Sequence, residues 1–236
     1  MTDNSYTTIH YTIDFKYTDD FLISDFILKT TGIELRSKAV YENGKLTHFH
    51  NNIDDPNATA TLDYNDKNQI TSISVPNTPS LQFIYNTKNQ VIESNIDHIY
   101  KTNFSYDKKG NIEKAKMLIT IPGQTEVEQR KYTYDDKNTP FNNTNYSFEV
   151  DTSDLFSDLN FIYKPMNNVL TEESDNEIGI DNLYKYKYEY TYNEYDFPIT
   201  IKKITNSGKI LEERTYEYEI HIIEEQQQTL STNQYH

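Results

Sequence analysis

Two histidines have the spacing that comes nearest to a recognisable chemical site. His48 and His50 are separated by one residue, so on a β-strand both imidazoles lie on the same face. Asp54 and Asp55 follow in what the sequence indicates is a turn. Paired imidazoles with nearby carboxylates are compatible with a transition-metal site. Because no third ligand is fixed by spacing, two solvent-facing histidines on a hairpin are the alternative.

Acidic residues offer the oxygen ligands that Ca²⁺ prefers, but not in the order of a calcium loop. Asp135 and Asp136 stand in one polar turn, and Asp151, Asp154 and Asp158 form a second cluster. Neither group has the alternating ligand order that ends in glycine and a distal glutamate. Turn formation and helix capping explain the same residues. We therefore keep the histidine pair as the candidate metal site and expect no calcium site at these acidic residues.

Motifs for catalysis and for cofactors are absent from the sequence. The chain has no cysteine, which excludes disulfides, thiolate catalysis and cysteine-based metal sites. Its six glycines are scattered and form no phosphate-binding loop, and no serine stands in a nucleophile elbow. Carboxylates are abundant, but nothing singles out one pair for hydrolysis. We therefore expect a non-enzymatic protein without catalytic residues or cofactors.

The net charge of the protein limits the classes of partner that it can bind. Lys and Arg number 22 against 37 Asp and Glu, a net charge of -15, so the average surface repels nucleic acid. The basic runs Lys108-Lys109 and Lys202-Lys203 are predicted to be solvated flanks of turns. No apolar run is long enough to span a membrane as a helix. The oligomeric state is left open.

The polar segment from Met1 to Asn4 carries no basic region or apolar signal core. The protein is therefore expected to be periplasmic or on the cell surface if an export signal has been removed, and otherwise cytoplasmic.

An internal repeat organises most of the chain. Each copy has a tyrosine and a polar turn, usually with an aliphatic residue six positions after the tyrosine. The clear copies begin at Tyr64, Tyr85 and Tyr106, and a shortened copy begins at Tyr41 and contains the hairpin signal Asn43-Gly44. Weaker copies begin at Tyr17, Tyr134, Tyr163 and Tyr192. Asn68, Asn89, Gly110 and Asn138 recur late in the turns, where a left-handed backbone is expected.

Between the turns, apolar and polar residues alternate with the period of a β-strand. The clearest run has tyrosine at every second position from Tyr184 to Tyr192. We predict an all-β fold, a large antiparallel up-and-down meander of hairpin repeats with roughly fourteen to sixteen strands. So wide a sheet is expected to curl into a half-barrel or a barrel-like sheet.

Residues 1–223 are predicted to form a single β-repeat domain, and residues 224–236 a polar strand edge or tail. Residues 151–160 are predicted to be a helical interlude.

The repeat at Tyr106, read as Tyr-Asp-Lys-Lys-Gly-Asn-Ile, resembles the tyrosine-aspartate (YD/RHS-type) repeat. The chain is similar to Bacteroidota secreted proteins and lipoproteins of unknown function that carry degenerate copies of this unit. The resemblance implies a β-hairpin architecture and an envelope location, and it implies no catalytic residues. Toxin shells of the family usually have Gly-Arg-Leu after the turn, whereas this chain has Gly44-Lys45-Leu46.

Tyrosines are the strongest candidates for a ligand surface. Tyr186, Tyr188 and Tyr190 lie on one face of a predicted strand, and Tyr195 and Tyr100 stand outside the main alternation. Exposed aromatic rings on a curved sheet can stack on sugars or anchor a protein. In a chain short of aliphatic residues, the same rings could instead fill the core.

The sequence thus favours a non-enzymatic binding or structural module of the bacterial cell envelope, with a protein, glycan or lipid as its ligand. Two alternatives stay open: a cytoplasmic protein-interaction module such as a toxin antagonist, and a carbohydrate-active enzyme on a β-scaffold.

Overall fold

The computed structural model describes residues 11–20, 22–97, 99–121, 124–141, 162–176 and 184–218. These ranges contain fifteen strands and one 3-10 helix, Pro56–Ala58. The strands are β1 Tyr11–Tyr17, β2 Ile23–Thr30, β3 Ile33–Glu42, β4 Lys45–His50, β5 Thr59–Tyr64, β6 Ile70–Ser74, β7 Leu81–Tyr85, β8 Val91–Ile96, β9 Tyr100–Tyr106, β10 Ile112–Ile121, β11 Gln124–Tyr134, β12 Val169–Asn176, β13 Lys185–Tyr192, β14 Pro198–Thr205 and β15 Ile210–Thr215.

All fifteen strands form one antiparallel sheet whose spatial order is the order of the chain, from β1 to β15. This confirms the predicted up-and-down meander. The sheet is curled and is not closed into a barrel, so the first of the two predicted shapes is nearer to the structure. Right-handed strand twist accumulates over so many strands and accounts for the curl.

Within the described ranges, no helix combines the length and the apolar character needed to cross a bilayer.

The sequence repeat corresponds to one structural unit. In each clear copy the tyrosine pairs directly with the aliphatic residue six positions later, as in Tyr64 with Ile70 and Tyr85 with Val91. The register then shifts by one residue, which is the signature of a β-bulge. The same pairing and shift recur at the last copy, where Tyr192 lies opposite Pro198. The bulge turns the aliphatic side chain into the core.

Tyrosine hydroxyl groups connect one repeat to the next. The hydroxyl of a tyrosine, which in five cases begins a copy of the repeat, donates to the backbone carbonyl at or next to the start of the preceding strand. Seven such bonds lie among the described residues, with lengths between 2.6 and 2.8 Å: Tyr41 to Ile23, Tyr64 to Leu46, Tyr85 to Ile70, Tyr106 to Val91, Tyr134 to Ile112, Tyr190 to Val169 and Tyr218 to Pro198. We call this series the tyrosine ladder. It satisfies both the phenol and a carbonyl at each bulge.

The repeat turns are held by the residue that follows each tyrosine. Asn65 Oδ1 accepts hydrogen bonds from the backbone N–H groups of Lys67 and Gln69, at 2.9 and 3.1 Å. This Asx-turn recurs at Asn86, Asp107 and Asn193. A carboxylate or amide oxygen at this position is therefore required by the turn, which explains the acidic or amide residue after the tyrosine.

Left-handed residues occupy the predicted late-turn position in the clear copies. Asn68, Asn89 and Gly110 have φ of 61°, 65° and 96°. The expectation for Asn138 is wrong, because its φ is not positive; its backbone N–H and side-chain amide bond to the carbonyls of Asp196 and Tyr195 instead. Asp196, with φ 62°, occupies this position in the last copy.

The two weak copies at Tyr134 and Tyr163 are one repeat divided by an insertion. Tyr134 pairs with Val169, the residue that the sequence assigned to the copy beginning at Tyr163. Asp135 Oδ1 accepts a bond of 3.0 Å from the backbone of Asn168, which closes the Asx-turn across the insertion. Tyr163 has a different role, since its buried hydroxyl accepts a 2.8 Å bond from the N–H of Ile112.

The core lies on the inner face of the first ten strands. Phe26 stacks on Phe49 at 5.5 Å and lies 6.2 Å from Phe15. Phe141, which follows β11 in the chain, packs edge-on against Phe15 of β1 at 5.5 Å. The chain after β11 thus returns to the first strand and covers part of the inner face.

The predicted helical interlude at 151–160 and the predicted tail at 224–236 lie outside the described residues, and the single-domain assignment stays a prediction.

Removal of one hydroxyl from the tyrosine ladder should weaken the whole sheet. Tyr85→Phe leaves the carbonyl of Ile70 without its 2.8 Å donor, so we expect a loss of about 1–2 kcal/mol in the free energy of unfolding. Denaturant titration measures this change. Tyr100→Phe, at a ring that is 43% exposed, is the matched control and should cost less than about 0.5 kcal/mol. Equal effects of the two variants would contradict a structural role for the ladder.

Candidate functional site

The inner face changes character from β11 onward, where charged side chains replace the apolar core. Arg130 of β11, Glu172 of β12 and Lys203 of β14 all point inward and are buried. Register brings them together, because Tyr132 lies opposite Glu172 and Tyr188 lies opposite Lys203. We call these three charged residues, together with Glu128, the inner-face network.

Glu172 is the centre of the inner-face network and is only 1% exposed. Its Oε2 accepts a 2.9 Å bond from the hydroxyl of Tyr188 and lies 3.7 Å from Lys203 Nζ. Its Oε1 lies 3.6 Å from Arg130 and 3.5 Å from the hydroxyl of Tyr184. Two cations and two phenols thus surround one carboxylate, which offsets the cost of burying its charge.

Arg130 connects Glu172 to a second carboxylate. Its Nε lies 2.6 Å from Glu128 Oε1, and its guanidinium lies over the ring of Tyr184 at 5.7 Å. Burial alone would lower the pKa of Arg130, but the hydrogen bond to Glu128 and the surrounding groups raise it above its ordinary value. Burial, with a contribution from the Glu172 charge, raises the pKa of Tyr132 well above its ordinary value. Arg130 therefore keeps its positive charge beside the network's carboxylates, and the neighbouring phenol of Tyr132 keeps its proton.

Lys203 is held by aromatic rings as well as by Glu172. Its Nζ lies 4.5 Å from the ring centre of Tyr186 and 5.5 Å from that of Tyr188. A desolvated cation over a ring face gains about 2 kcal/mol.

The prediction that Lys202-Lys203 flanks a turn is wrong: both residues lie within β14, Lys202 on the outer face and Lys203 on the inner face.

The candidate ligand tyrosines separate into two groups. Tyr186, Tyr188 and Tyr190 lie together on the inner face of β13, where Tyr188 is buried and the other two are half-buried. Tyr190 belongs to the tyrosine ladder through Val169. Tyr195 and Tyr100 lie elsewhere, in a repeat turn and at the start of β9, and are 54% and 43% exposed. The structure therefore brings three of the five residues together.

A small cavity opens beside these tyrosines, with a volume of about 30 Å³. Its walls come from four strands and the residues next to them: Val169, Tyr188, Tyr190, Ile201, Lys203, Glu212, Arg214 and Tyr216. Arg214 Nε forms an ion pair with Glu212 on the same strand. The cavity therefore combines ring faces, hydroxyl groups and both signs of charge at one place.

The two histidines lie on β4, away from the inner-face network. Nδ1 of His48 lies 3.0 Å from Thr47 Oγ1, and Nδ1 of His50 lies 2.8 Å from Thr59 Oγ1. Asp55 accepts a bond from the backbone of Asn57 and caps the 3-10 helix. No group of three or more metal-binding side chains is found in the part of the chain that the structure describes. The metal site stays a hypothesis with two ligands.

Sequence reasoning missed Arg130, Glu172 and Lys203 as a group. The sequence did contain an indication of their orientation. Each of the three charged residues stands two positions from a residue that faces the interior, and residues two apart on a strand lie on the same face. That phase alone does not reveal that the three strands bring their charges into contact, since Arg130 and Lys203 are separated by two intervening strands.

Comparison with known proteins gives a similarity of fold. No family model matches the chain, and no curated protein matches its sequence. Among solved structures, it is similar to a porin-like protein from Bacteroides uniformis, with a TM-score of 0.54 and 13% sequence identity. The similarity covers 88% of this chain and 87% of that chain. At this identity it establishes the curled antiparallel fold, and the resemblance to YD-type repeats stays a prediction.

Removal of the central carboxylate should destabilise the protein strongly. Glu172→Gln leaves Lys203 and Arg130 buried beside a neutral amide, so we expect a loss of about 3–5 kcal/mol in the free energy of unfolding. The control is Glu173→Gln, one residue away on the outer face, where the carboxylate is 44% exposed and pairs with Lys185. That variant should cost less than about 1 kcal/mol. A loss below about 1 kcal/mol for Glu172→Gln in denaturant titration would be inconsistent with the network.

Alkali should destabilise the protein through its buried phenols. Burial raises the pKa of Tyr85 to about 12, and burial also raises the pKa values of Tyr106 and Tyr184. Unfolded tyrosine ionises near pH 10, so above about pH 10 the folded state holds protons that the unfolded state has lost. The free energy of unfolding should be unaffected by these groups below about pH 10 and should fall between about pH 10 and pH 12.

The measurement is the thermal unfolding midpoint across this range, with tyrosinate absorbance followed in parallel. A midpoint that stays constant while tyrosinate forms would contradict the burial of these phenols.

Proposed function

We propose that this protein is a non-enzymatic binding module of the bacterial cell envelope, and that its ligand surface is the inner face of β12 to β15. The observation that carries the proposal is the inner-face network. A core needs apolar side chains, and ten strands of this sheet supply them; the remaining strands place Arg130, Glu172 and Lys203 where apolar residues would serve stability equally well.

Buried ion pairs seldom improve stability over apolar residues of the same volume. Replacement of a buried pair is often neutral or stabilising by about 1–4 kcal/mol. A role in binding therefore accounts for the charged residues beside half-buried tyrosines better than a role in stability does. Binding surfaces combine aromatic faces with a few placed polar groups. The cavity lining includes a lysine, an arginine and a glutamate beside its tyrosine rings, and this mixture favours a glycan over a lipid tail among the candidate ligands.

The envelope location is supported by two similarities. The fold resembles that of a porin-like protein from Bacteroides uniformis. The repeat resembles that of Bacteroidota secreted proteins and lipoproteins. Both point to the same cellular compartment, whereas a cytoplasmic toxin antagonist has only the acidic net charge of -15 in its favour.

The arrangement around Glu172 favours binding over catalysis. A glycosidase needs one carboxyl group that stays protonated and a second that stays ionised. Glu172 instead lies within 3.7 Å of two cations, and Glu128 accepts from Arg130. Both carboxylates are therefore held by cations of the protein itself, and neither of the two is left available to a substrate.

The test compares two ion pairs on opposite faces. The variant E172M/K203M removes the inner pair, and K202M/E213M removes an outer pair whose atoms are 3.1 Å apart. K202M/E213M replaces both partners of an exposed pair and should unfold within about 1 kcal/mol of the native protein. E172M/K203M also removes Glu172 from Arg130, which keeps Glu128, and from the hydroxyl of Tyr188, so its stability is measured first and binding is compared where both variants are folded. Binding is measured by calorimetric titration against neutral and acidic oligosaccharides, peptides and phospholipid vesicles.

We expect an oligosaccharide to bind and the inner-face variant to lose at least about tenfold in affinity, which corresponds to about 1.4 kcal/mol. The outer-face variant should bind like the native protein. Binding of none of these probes, or equal losses in both variants, would refute the inner face as the ligand surface.

A further inference from the structure

We propose that the outer face of β4 binds a divalent transition-metal ion, Cu²⁺ most tightly, through the imidazole Nε2 atoms of His48 and His50. The two histidines stand on either side of Phe49, which is buried in the core on the inner face. Successive side chains of a strand point to opposite faces, so both imidazoles lie on the outer face. The metal site is separate from the inner-face network and does not depend on the proposed function.

The position of β4 inside the sheet fixes the spacing of the two ligands. β3 pairs with β4 on one side and β5 on the other, and both histidines have register partners on both neighbours. Residues two apart on a strand are separated by about 6.6 Å. Two nitrogen atoms that each bind one ion at about 2.1 Å are about 3.3 Å apart, and imidazole side chains close this gap by rotating toward each other. The fixed backbone lowers the entropic cost of binding.

A bulge places a threonine hydroxyl beside the first imidazole. The pairing of β4 with β3 skips Thr47, which is therefore the extra residue of the bulge. Its hydroxyl donates to the carbonyl of Val40 at 3.3 Å, and its oxygen lies 3.0 Å from Nδ1 of His48. Because a hydroxyl has one proton, the oxygen accepts the proton of Nδ1–H. The neutral His48 ring thus keeps its lone pair on Nε2, the atom that is to bind the metal.

A second threonine contacts the other imidazole at the same nitrogen. Nδ1 of His50 lies 2.8 Å from the hydroxyl oxygen of Thr59 on β5. This hydroxyl can rotate to accept from Nδ1–H. Metal-binding histidines commonly donate their other ring N–H to an oxygen atom, which sets the tautomer and holds the ring in place. Both histidines of β4 have such a partner at Nδ1.

The two imidazoles determine the kind of ion. Neutral imidazole suits Cu²⁺, Ni²⁺ and Zn²⁺, whereas Ca²⁺ and Mg²⁺ prefer oxygen ligands. Of the first three ions, Cu²⁺ binds a given set of nitrogen ligands most tightly. Water completes the coordination of an ion held by two protein ligands on an exposed surface. The net charge of -15 attracts cations to the protein as a whole.

The first test uses the native protein. Calorimetric titration should show one tight Cu²⁺ ion, with weaker binding of Ni²⁺ and Zn²⁺. Electron paramagnetic resonance of the loaded protein should show two nitrogen ligands on Cu²⁺. Excess Ca²⁺ should leave the ion in place. Displacement of Cu²⁺ by Ca²⁺ would assign the ion to carboxylates and overturn the proposal.

Single variants test whether the two histidines share one ion. His48→Gln and His50→Gln should each weaken Cu²⁺ binding at least about tenfold, because the ion loses one of two linked ligands. His98→Gln, at a histidine outside the pair, is the matched control and should bind like the native protein. If the variants at β4 bind fewer ions with unchanged affinity, the histidines act separately and the shared site does not exist.

Thr47 is expected to act as a positioning residue. Thr47→Val removes the acceptor of His48 Nδ1–H and should weaken Cu²⁺ binding about tenfold, the low end of what such supporting hydrogen bonds contribute. Thr47→Ser keeps the hydroxyl and should restore the affinity. An unchanged affinity in Thr47→Val would overturn the assignment of Nε2 as the metal ligand of His48.

A neighbouring charge locates the ion independently of the ligands. Lys38 is exposed and lies opposite His50, so its ammonium group repels a cation bound there. Lys38→Gln should therefore tighten Cu²⁺ binding at least about twofold in 0.1 M salt. Lys88→Gln, in the turn between β7 and β8 and three strands away, is the control and should change nothing, since its charge is screened at that distance. Equal affinities in the two lysine variants would place the ion away from β4.

Discussion

A hydrogen bond between a tyrosine hydroxyl and a backbone carbonyl of the neighbouring strand holds this sheet together. Each register shift at a bulge disturbs the backbone pairing, and a buried carbonyl without a donor would cost about 1–3 kcal/mol. The tyrosine ladder supplies a donor next to the shift, as Tyr64 does for Leu46 and Tyr106 does for Val91. The rings of five ladder tyrosines also pack against the buried core, so one side chain serves both packing and hydrogen bonding: Tyr41, Tyr64, Tyr85, Tyr106 and Tyr134. This accounts for a stable sheet with few aliphatic residues.

The ladder also explains why an insertion is tolerated. The Asx-turn of the divided repeat closes between Asp135 and Asn168, although thirty-two residues separate them in the sequence. Tyr134 keeps its bond to Ile112 and its pairing with Val169. The turn thus survives because its contacts depend on the two ends of the insertion and not on its length.

The inner face has an apolar part, which drives folding, and a charged part, which presents polar groups beside the cavity. The first ten strands bury phenylalanine and aliphatic side chains, which drive folding. The following strands keep the tyrosines of the ladder but place cations and carboxylates between them. Because these charges are neutralised among themselves, the sheet remains stable while it presents polar groups beside a small cavity. The proposed ligand surface thus lies on strands whose backbone is already fixed by the sheet.

The sequence by itself determined the class of the fold, because alternation and turn chemistry are local properties of the chain. The repeats at Tyr64, Tyr85 and Tyr106, and the left-handed turn residues Asn68 and Gly110, are legible without a structure. Only the tertiary structure decided that Lys203 is buried beside Glu172, that Tyr134 and Val169 belong to one repeat, and that the sheet stays open. These features depend on contacts between residues that are distant in the sequence and on the twist that accumulates over many strands. Neither the contacts nor the total twist can be read from the spacing of neighbouring residues.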